Sequence, residues 1–417
     1  MKLTVIGAGS TYTPEVIDGL AQLGDELTLD ELWLHDTDAG RLEVVGGLAG
    51  RMLARAGHPA RLSLSTRLDD AVEGVDCVLV QIRVGGQAAR AVDEALPVRC
   101  GCVGQETTGF GGLAKALRTV PVVLDIADRV RERSPGAWIV DFTNPVGIVT
   151  RALLDAGHRA IGLCNAAVVF QRHFASVLDV DPARLELDHL GLNHLTWEVG
   201  VRLDGVPVLD RLVGEHVERV ARATGLSPEL VGALGTVPSY YLHYFYGHDQ
   251  VVRAQRRERS RAEIVAEVEA ELLRLYADEE LDSKPALLEQ RGGAGYSQAA
   301  VALVAGLLGS RPGRHVVNVR NHSTLPFLDG RAVVEVPAWV EDGRVMPVPL
   351  PLPGALERGL IAHVAAYEEL ALDAALRGGR ARVFRALLAH PLVGQAALAD
   401  ELADLMIDAN RGFLAWA

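Results

Sequence analysis

Lysine is the scarcest charged residue of this 417-residue chain: only Lys2, Lys115 and Lys284 stand among 41 basic residues. An anion site is therefore expected to be built from arginine, whose planar fork suits phosphate oxygens. Four cysteines are too few for a disulfide framework. That points to a reducing cytoplasm and leaves any single thiol available for other chemistry. No apolar stretch approaches the roughly 20 residues that span a bilayer. The first residues, Met1-Lys2-Leu3-Thr4-Val5-Ile6-Gly7, run straight into a strand and a glycine turn without the regions of a signal peptide. Positive charge is short as well. A net charge of −13 excludes the basic face that nucleic acid or an anionic membrane would favour, although a few local arginines would serve a small anion.

Aromatic residues make up 5% of the chain, yet Tyr240, Tyr241, Tyr244, Phe245 and Tyr246 crowd into one short segment. Such a cluster is either a core or interface patch, or a means of placing one hydroxyl as a general base.

What the chain does have is length and alternation. Its 417 residues suffice for two or three cores. Leu3–Ile6, Glu31–His35, Arg61–Ser65, Asp76–Ile82, Ala137–Phe142 and Arg159–Cys164 read as buried strands. Pro14–Leu23, Ala39–Ala56 and Leu113–Arg133 carry apolar residues at helical spacing. This order predicts a Rossmann-like, doubly wound parallel sheet. From about residue 185 the rhythm changes. Leu195–Leu203 alternates and ends at Asp204-Gly205, an antiparallel strand reaching a turn. Helices are expected near 261–277, 294–309, 356–378 and 381–412, and strands near 314–320 and 332–339. The expected organisation is a nucleotide-binding unit over 1–190 and a second α/β (α+β) unit over 191–417, for substrate and oligomerisation.

Val5-Ile6-Gly7-Ala8-Gly9-Ser10 follows the first strand and precedes a helix. Gly7 permits the tight turn, and Gly9 and Ser10 let backbone amides approach a pyrophosphate at the helix N-terminus. The third glycine of the usual fingerprint is absent. Asp36 closes the second strand, where a carboxylate binds ribose hydroxyls and repels a 2′-phosphate, favouring NAD over NADP. Asn144, in Asp141-Phe142-Thr143-Asn144-Pro145, stands at another strand end and could bind a sugar or the nicotinamide ribose. The plainer reading is a turn-initiating asparagine.

Two further segments stand out, Gly162-Leu163-Cys164-Asn165 and Gly191-Leu192-Asn193-His194. Thiolate and imidazole are competent ligands for a borderline divalent metal, and two protein donors would leave positions open for substrate. On spacing alone, the favoured readings are a buried structural cysteine for Cys164 and a core or capping residue for His194. Arg90 and Arg261 are possible anion contacts, against the usual surface role of arginine. Cys100 and Cys102 read as structural.

Taken together, the chain resembles glycoside hydrolase family 4, the NAD- and divalent-metal-dependent glycosidases with a lactate/malate dehydrogenase-like fold. The residues that carry this are Val5 through Glu15, Gly104-Gln105-Glu106-Thr107-Thr108-Gly109, Phe142-Thr143-Asn144-Pro145, the Cys164 and His194 segments, and Tyr241-Leu242-His243-Tyr244. The likeness extends beyond Arg291-Gly292-Gly293. It implies that Cys164 and His194 bind Mn2+ or a similar cation, that Tyr241 is the base, and that Arg90, Asn144, Asn165 and Arg261 contact substrate. Asn165, directly after the cysteine, implies a 6-phospho-β-glucoside as substrate. The implied reaction is NAD-dependent oxidation at C3, deprotonation at C2 and elimination of the aglycone. A homodimer or homotetramer is implied too. Two positions depart from the family pattern: Ala167 where proline is usual, and His243 where arginine is usual. The competing readings are a lactate/malate-type 2-hydroxy acid dehydrogenase, which gives Cys164 and His194 no role, and a non-catalytic NAD-sensing regulator.

Overall fold

The structure, a computed structural model, describes residues 1–22, 27–291, 296–309 and 311–417. The strands are β1 (Lys2–Ile6), β2 (Glu31–His35), β3 (Arg61–Ser65), β4 (Cys77–Val80), β5 (Trp138–Asp141), β6 (Ala160–Gly162), β7 (Leu185–Leu192), β8 (Leu195–Leu203), β9 (Val206–Pro207), β10 (Val237–Pro238), β11 (Gly313–Arg320), β12 (Val333–Glu341) and β13 (Arg344–Pro347). The first six are parallel, in the spatial order β3-β2-β1-β4-β5-β6. Successive residues within them feed opposite cores. Leu3, Val5, Cys77 and Leu79 pack on one face, and Ile6, Val78 and Val80 on the other. A strand buried on both faces has little room for polar residues, which is why the inner strands β1, β4, β5 and β6 are nearly continuous apolar runs. Arg61–Ser65, expected to be buried, is instead a half-exposed, alternating strand because it lies at the sheet edge.

The antiparallel strands do not form a separate sheet. β11 pairs with β6, β12 with β11, β7 with β12, and β8 with β7, so one sheet crosses the whole chain. The 190/191 division falls within β7 and remains a proposal. One transverse row ties the parallel strands to the antiparallel ones: Gly162, Asn318, Glu335, Gly191 and Thr196 are register neighbours on β6, β11, β12, β7 and β8. A Cβ on Gly162 would meet the Asn318 Cβ at 2.9 Å, and one on Gly191 would meet the Leu195 carbonyl oxygen at 2.1 Å. Gly191 also has φ of +144°, so glycine is required at both positions by crowding, and at 191 by backbone conformation as well.

Most expected elements are present. The helices are Thr13–Gln22, Ala39–Arg55, Gly109–Arg133, Arg261–Tyr276, Tyr296–Leu307 and Ala355–Arg377. Leu23 and residues 294–295, included in the expected helices, lie outside the described residues, as do Gly292 and Gly293. The stretch 381–412 is two helices, Arg380–Ala389 and Ala396–Asn410. Pro391 pushes His390 into extended backbone and ends the first of them. Among the described residues no helix is long and apolar enough to cross a membrane.

Candidate functional site

In an open parallel sheet, the loops after the carboxyl ends of the strands share one edge. The glycine turn follows β1, Asp36 follows β2, Gln81–Arg83 follow β4, Phe142–Pro145 follow β5, and Leu163–Asn165 follow β6. Gly7 takes φ of +84°. The Gly9 amide donates to an Asp36 carboxylate oxygen at 2.8 Å, and a Cβ at Gly9 would meet that carboxyl at 2.9 Å. Asp36 therefore sits directly on the turn. Arg41 Nε donates to the Gly9 carbonyl at 2.9 Å, and the Tyr276 hydroxyl to the Thr11 carbonyl at 2.7 Å. The 261–276 helix thus braces the turn from the second half of the chain. Arg291 reaches Ser10 Oγ at 3.5 Å and Glu269 at 3.1 Å. Beyond β5, Thr143 is pinned through its hydroxyl to the Val80 carbonyl and the Ile82 amide. Asn144 Oδ1, next to it, is buried with no hydrogen-bond partner among the described residues.

Cys164 and His194 follow two members of the transverse row, two residues past Gly162 on β6 and three past Gly191 on β7. His194 lies in the two-residue turn between β7 and β8 and takes φ of +63°. β10 pairs with β8, and the Tyr240–Leu242 turn after it brings Tyr241 back over this hairpin. The Tyr241 and His194 rings stack with centroids 3.7 Å apart at 13°. Cys164 lies within electrostatic reach of Tyr241, and the Asn193 side chain favours its thiolate form. Burial pushes the Cys164 thiol up, with the Glu335 carboxylate adding to it, while the Ala166 and Asn165 amides at the helix start oppose both. Burial raises the Tyr241 hydroxyl well above its ordinary value and lowers His194 to about 4, so the imidazole is neutral.

Beneath this pair is a buried hub. Glu335 accepts from His189 Nε2 at 3.0 Å and from the amides of Asn193 and Asn318, each at 2.9 Å, while His189 Nδ1 faces Glu198 at 2.7 Å. Burial alone would lower His189, but Glu198 and then Glu335 outweigh it and hold the imidazolium to about 10. A raised folded value contributes stability that is fully present below 6.5 and is lost as the pH rises through about 10. The midpoint of urea unfolding is therefore expected to fall between pH 7 and pH 10. His189→Asn should be less stable at pH 7 and should flatten that slope; an unchanged slope in the variant would place its origin elsewhere.

A cluster of largely buried cations sits one loop away, around Glu106. Glu106 is surrounded by Arg83, by Lys115 at 2.9 Å and by Arg90 at 3.4 Å. Burial works against its charge, but Lys115, Arg83 and Arg90 outweigh burial and keep Glu106 well below the usual carboxylate range. Arg90 Nε also donates to Glu94 at 2.8 Å. Lys115, lowered to about 8 by burial and by Arg83, shows that the cationic cluster is not built from arginine alone. Tyr244 links this cluster to Arg261, whose field it feels together with those of Glu94 and Arg90. Arg261 is exposed and spends hydrogen bonds on the Gln290 and Arg291 carbonyls. Asn165 is half-buried at the start of the 166–178 helix, without a capping bond. Sequence patterns alone give no role to Arg83, Lys115, Glu198 or Glu335. The one signal is the rarity of lysine, with Lys115 set in an otherwise apolar run.

The pattern described as Family 4 glycosyl hydrolase matches residues 2–180, and that of the Family 4 glycosyl hydrolase C-terminal domain matches 189–393. The chain is 36% identical to a probable 6-phospho-beta-glucosidase of Bacillus subtilis, covering 99% of this chain and 97% of that one. It superposes with TM-score 0.92 at 30% identity, over 99% of each chain, on the 6-phospho-beta glucosidase from Thermotoga maritima solved with manganese, NAD+ and glucose-6-phosphate. A Cryptosporidium parvum malate dehydrogenase, 14% identical with TM-score 0.55 over 90% of this chain and 98% of that one, shares the fold alone. The chain belongs to family 4 of the glycosyl hydrolases.

Proposed function

We propose that the protein hydrolyses 6-phospho-β-glucosides with NAD and a divalent cation such as Mn2+ as working cofactors. The observation that carries this reading is the stacking of Tyr241 on His194, with Cys164 in electrostatic reach of the same phenol. The residues fit both groups. A sulfur and a ring nitrogen make a donor pair for a borderline cation and leave sites for two sugar oxygens. The glycine turn with Asp36 suits a dinucleotide, and the partnerless Asn144 oxygen suits a hydroxyl of sugar or ribose.

When bound, the nicotinamide exchanges hydride with C3 of the sugar while the cation polarises the C2 and C3 oxygens. Cys164 and His194 would hold that cation. Tyr241 Oη takes the C2 proton, which the adjacent ketone acidifies, and the aglycone leaves C1 by elimination. A cation held by Cys164 and His194 would offset part of the burial that raises the phenol. Arg90, Arg261 and Lys115 favour a phosphate at the far end of the sugar, and Asn144 and Asn165 orient its hydroxyls. The reaction would be redox-neutral overall, so the cofactor would not be consumed. In this reading the enzyme works in the cytoplasm as a homodimer or homotetramer.

The test is a panel of p-nitrophenyl α- and β-glucosides, with and without 6-phosphate, assayed with NAD+, Mn2+ and a thiol reductant. Turnover of the phosphorylated β-anomer, dependent on both additions, is expected. Equal turnover of the unphosphorylated pair, or of the α-anomer, would reassign the substrate. Metal-independent accumulation of NADH from a 2-hydroxy acid would replace the reading altogether.

A further inference from the structure

The hydrogen bonds around the Gln105-Glu106-Thr107-Thr108 loop fix where its protons lie. Gln105 Oε1 accepts from two backbone amides, those of Thr107 and Thr108, the latter at 3.0 Å. Backbone N–H groups only donate, so the atom facing them is the amide oxygen and not the nitrogen. The Thr107 hydroxyl lies 2.8 Å from the same oxygen. Two lone-pair-bearing oxygens at that distance repel unless a proton lies between them, so Thr107 donates its single hydroxyl proton to Gln105.

The Thr107 oxygen is also 2.8 Å from His194 Nδ1. With its proton already committed, the hydroxyl can only accept there. Nδ1 must therefore carry the imidazole proton, which leaves Nε2 with its lone pair. Among the described residues Nε2 has no hydrogen-bond partner. On the other side the loop is fixed to the C-terminal helices: the Gly109 amide donates to His390 Nε2 at 3.0 Å. Tyr241 clamps the face of the His194 imidazole.

We propose that Gln105 and Thr107 are positioning residues that lock His194 in the Nδ1–H tautomer, so that Nε2 is presented to a divalent cation. This rests on the proposed function for the identity of the ion, but the tautomer assignment stands without it. Oriented imidazole ligands lose about 10- to 100-fold in metal affinity when the partner of the other ring nitrogen is removed. Thr107→Val keeps the side-chain shape and removes the acceptor, whereas Thr107→Ser keeps the hydroxyl.

The test uses the full chain at pH 7, with Mn2+ alone as the probe, the free ion being counted by its electron paramagnetic resonance signal. Thr107→Val is expected to weaken Mn2+ binding by about 10- to 100-fold, and Thr107→Ser to bind like the wild type. Independently, 15N spectra of histidine-labelled, metal-free wild type, with His194 assigned by its loss in His194→Gln, should show Nδ1 protonated and Nε2 bare. This second reading needs no folded Thr107 variant. An Nε2–H tautomer in the wild type, or unchanged Mn2+ affinity in Thr107→Val, would overturn the proposal. Wild type that holds the Nδ1–H tautomer but binds no Mn2+ would support the lock while removing the metal from the proposed function.

Discussion

Cys164→Ser is expected to abolish most metal-dependent turnover, by about a hundred- to ten-thousandfold, because a bound cation supplies several kcal/mol of charge stabilisation. Serine nearly matches cysteine in shape, so the buried site between Asn193 and the start of the 166–178 helix should remain packed. What is lost is an anionic donor: a serine hydroxyl does not ionise near neutral pH, whereas a metal-bound thiol is deprotonated. Dinucleotide binding, followed by quenching of tryptophan fluorescence, should survive, since the glycine turn and Asp36 contribute nothing through Cys164. The steady-state rate with saturating Mn2+ is the measurement that checks this. Wild-type turnover in the variant would refute the ligand assignment.

Tyr241→Phe is the second large effect. A positioned general base contributes about 10²- to 10⁴-fold, and the substitution removes only the hydroxyl. The ring that stacks on His194 at 3.7 Å stays, so Mn2+ affinity should hold while kcat falls. That separation distinguishes a proton-transfer role from a packing role. An equal loss of metal binding would mean that the phenol supports the histidine rather than the chemistry, and an unchanged kcat would assign the base to another group.

The parallel half of the sheet was legible because its physics is local. Glu31–His35 and Arg61–Ser65 match the expected bounds. The first is a largely buried run flanked by helices, whereas the second is legible from its apolar/polar alternation at the sheet edge. The helix break at His390-Pro391 was hidden by helical spacing that continues on both sides of it. Strand β7 was harder to see. Its sequence, Leu185-Glu186-Leu187-Asp188-His189-Leu190-Gly191-Leu192, places charged residues in the interior, and what satisfies them is remote. His189 is completed by Glu335, 146 positions further on. For the same reason Cys164 and His194 stood as two unrelated segments until the resemblance joined them. Nothing in their spacing encodes the row Gly162, Asn318, Glu335, Gly191 that sets the two loops across four strands. The glycines of both motifs were visible, but the crowding that demands them was not.

The central claim is that this site removes a proton from C2 of the sugar before the glycosidic bond breaks. The most direct measurement is to run hydrolysis of a C2-deuterated p-nitrophenyl β-glucoside 6-phosphate in ordinary water, with NAD+ and Mn2+, and to read the label in the released sugar phosphate. The account predicts that deuterium is washed out of C2 into solvent. Full retention of deuterium at C2, with turnover intact, would contradict it.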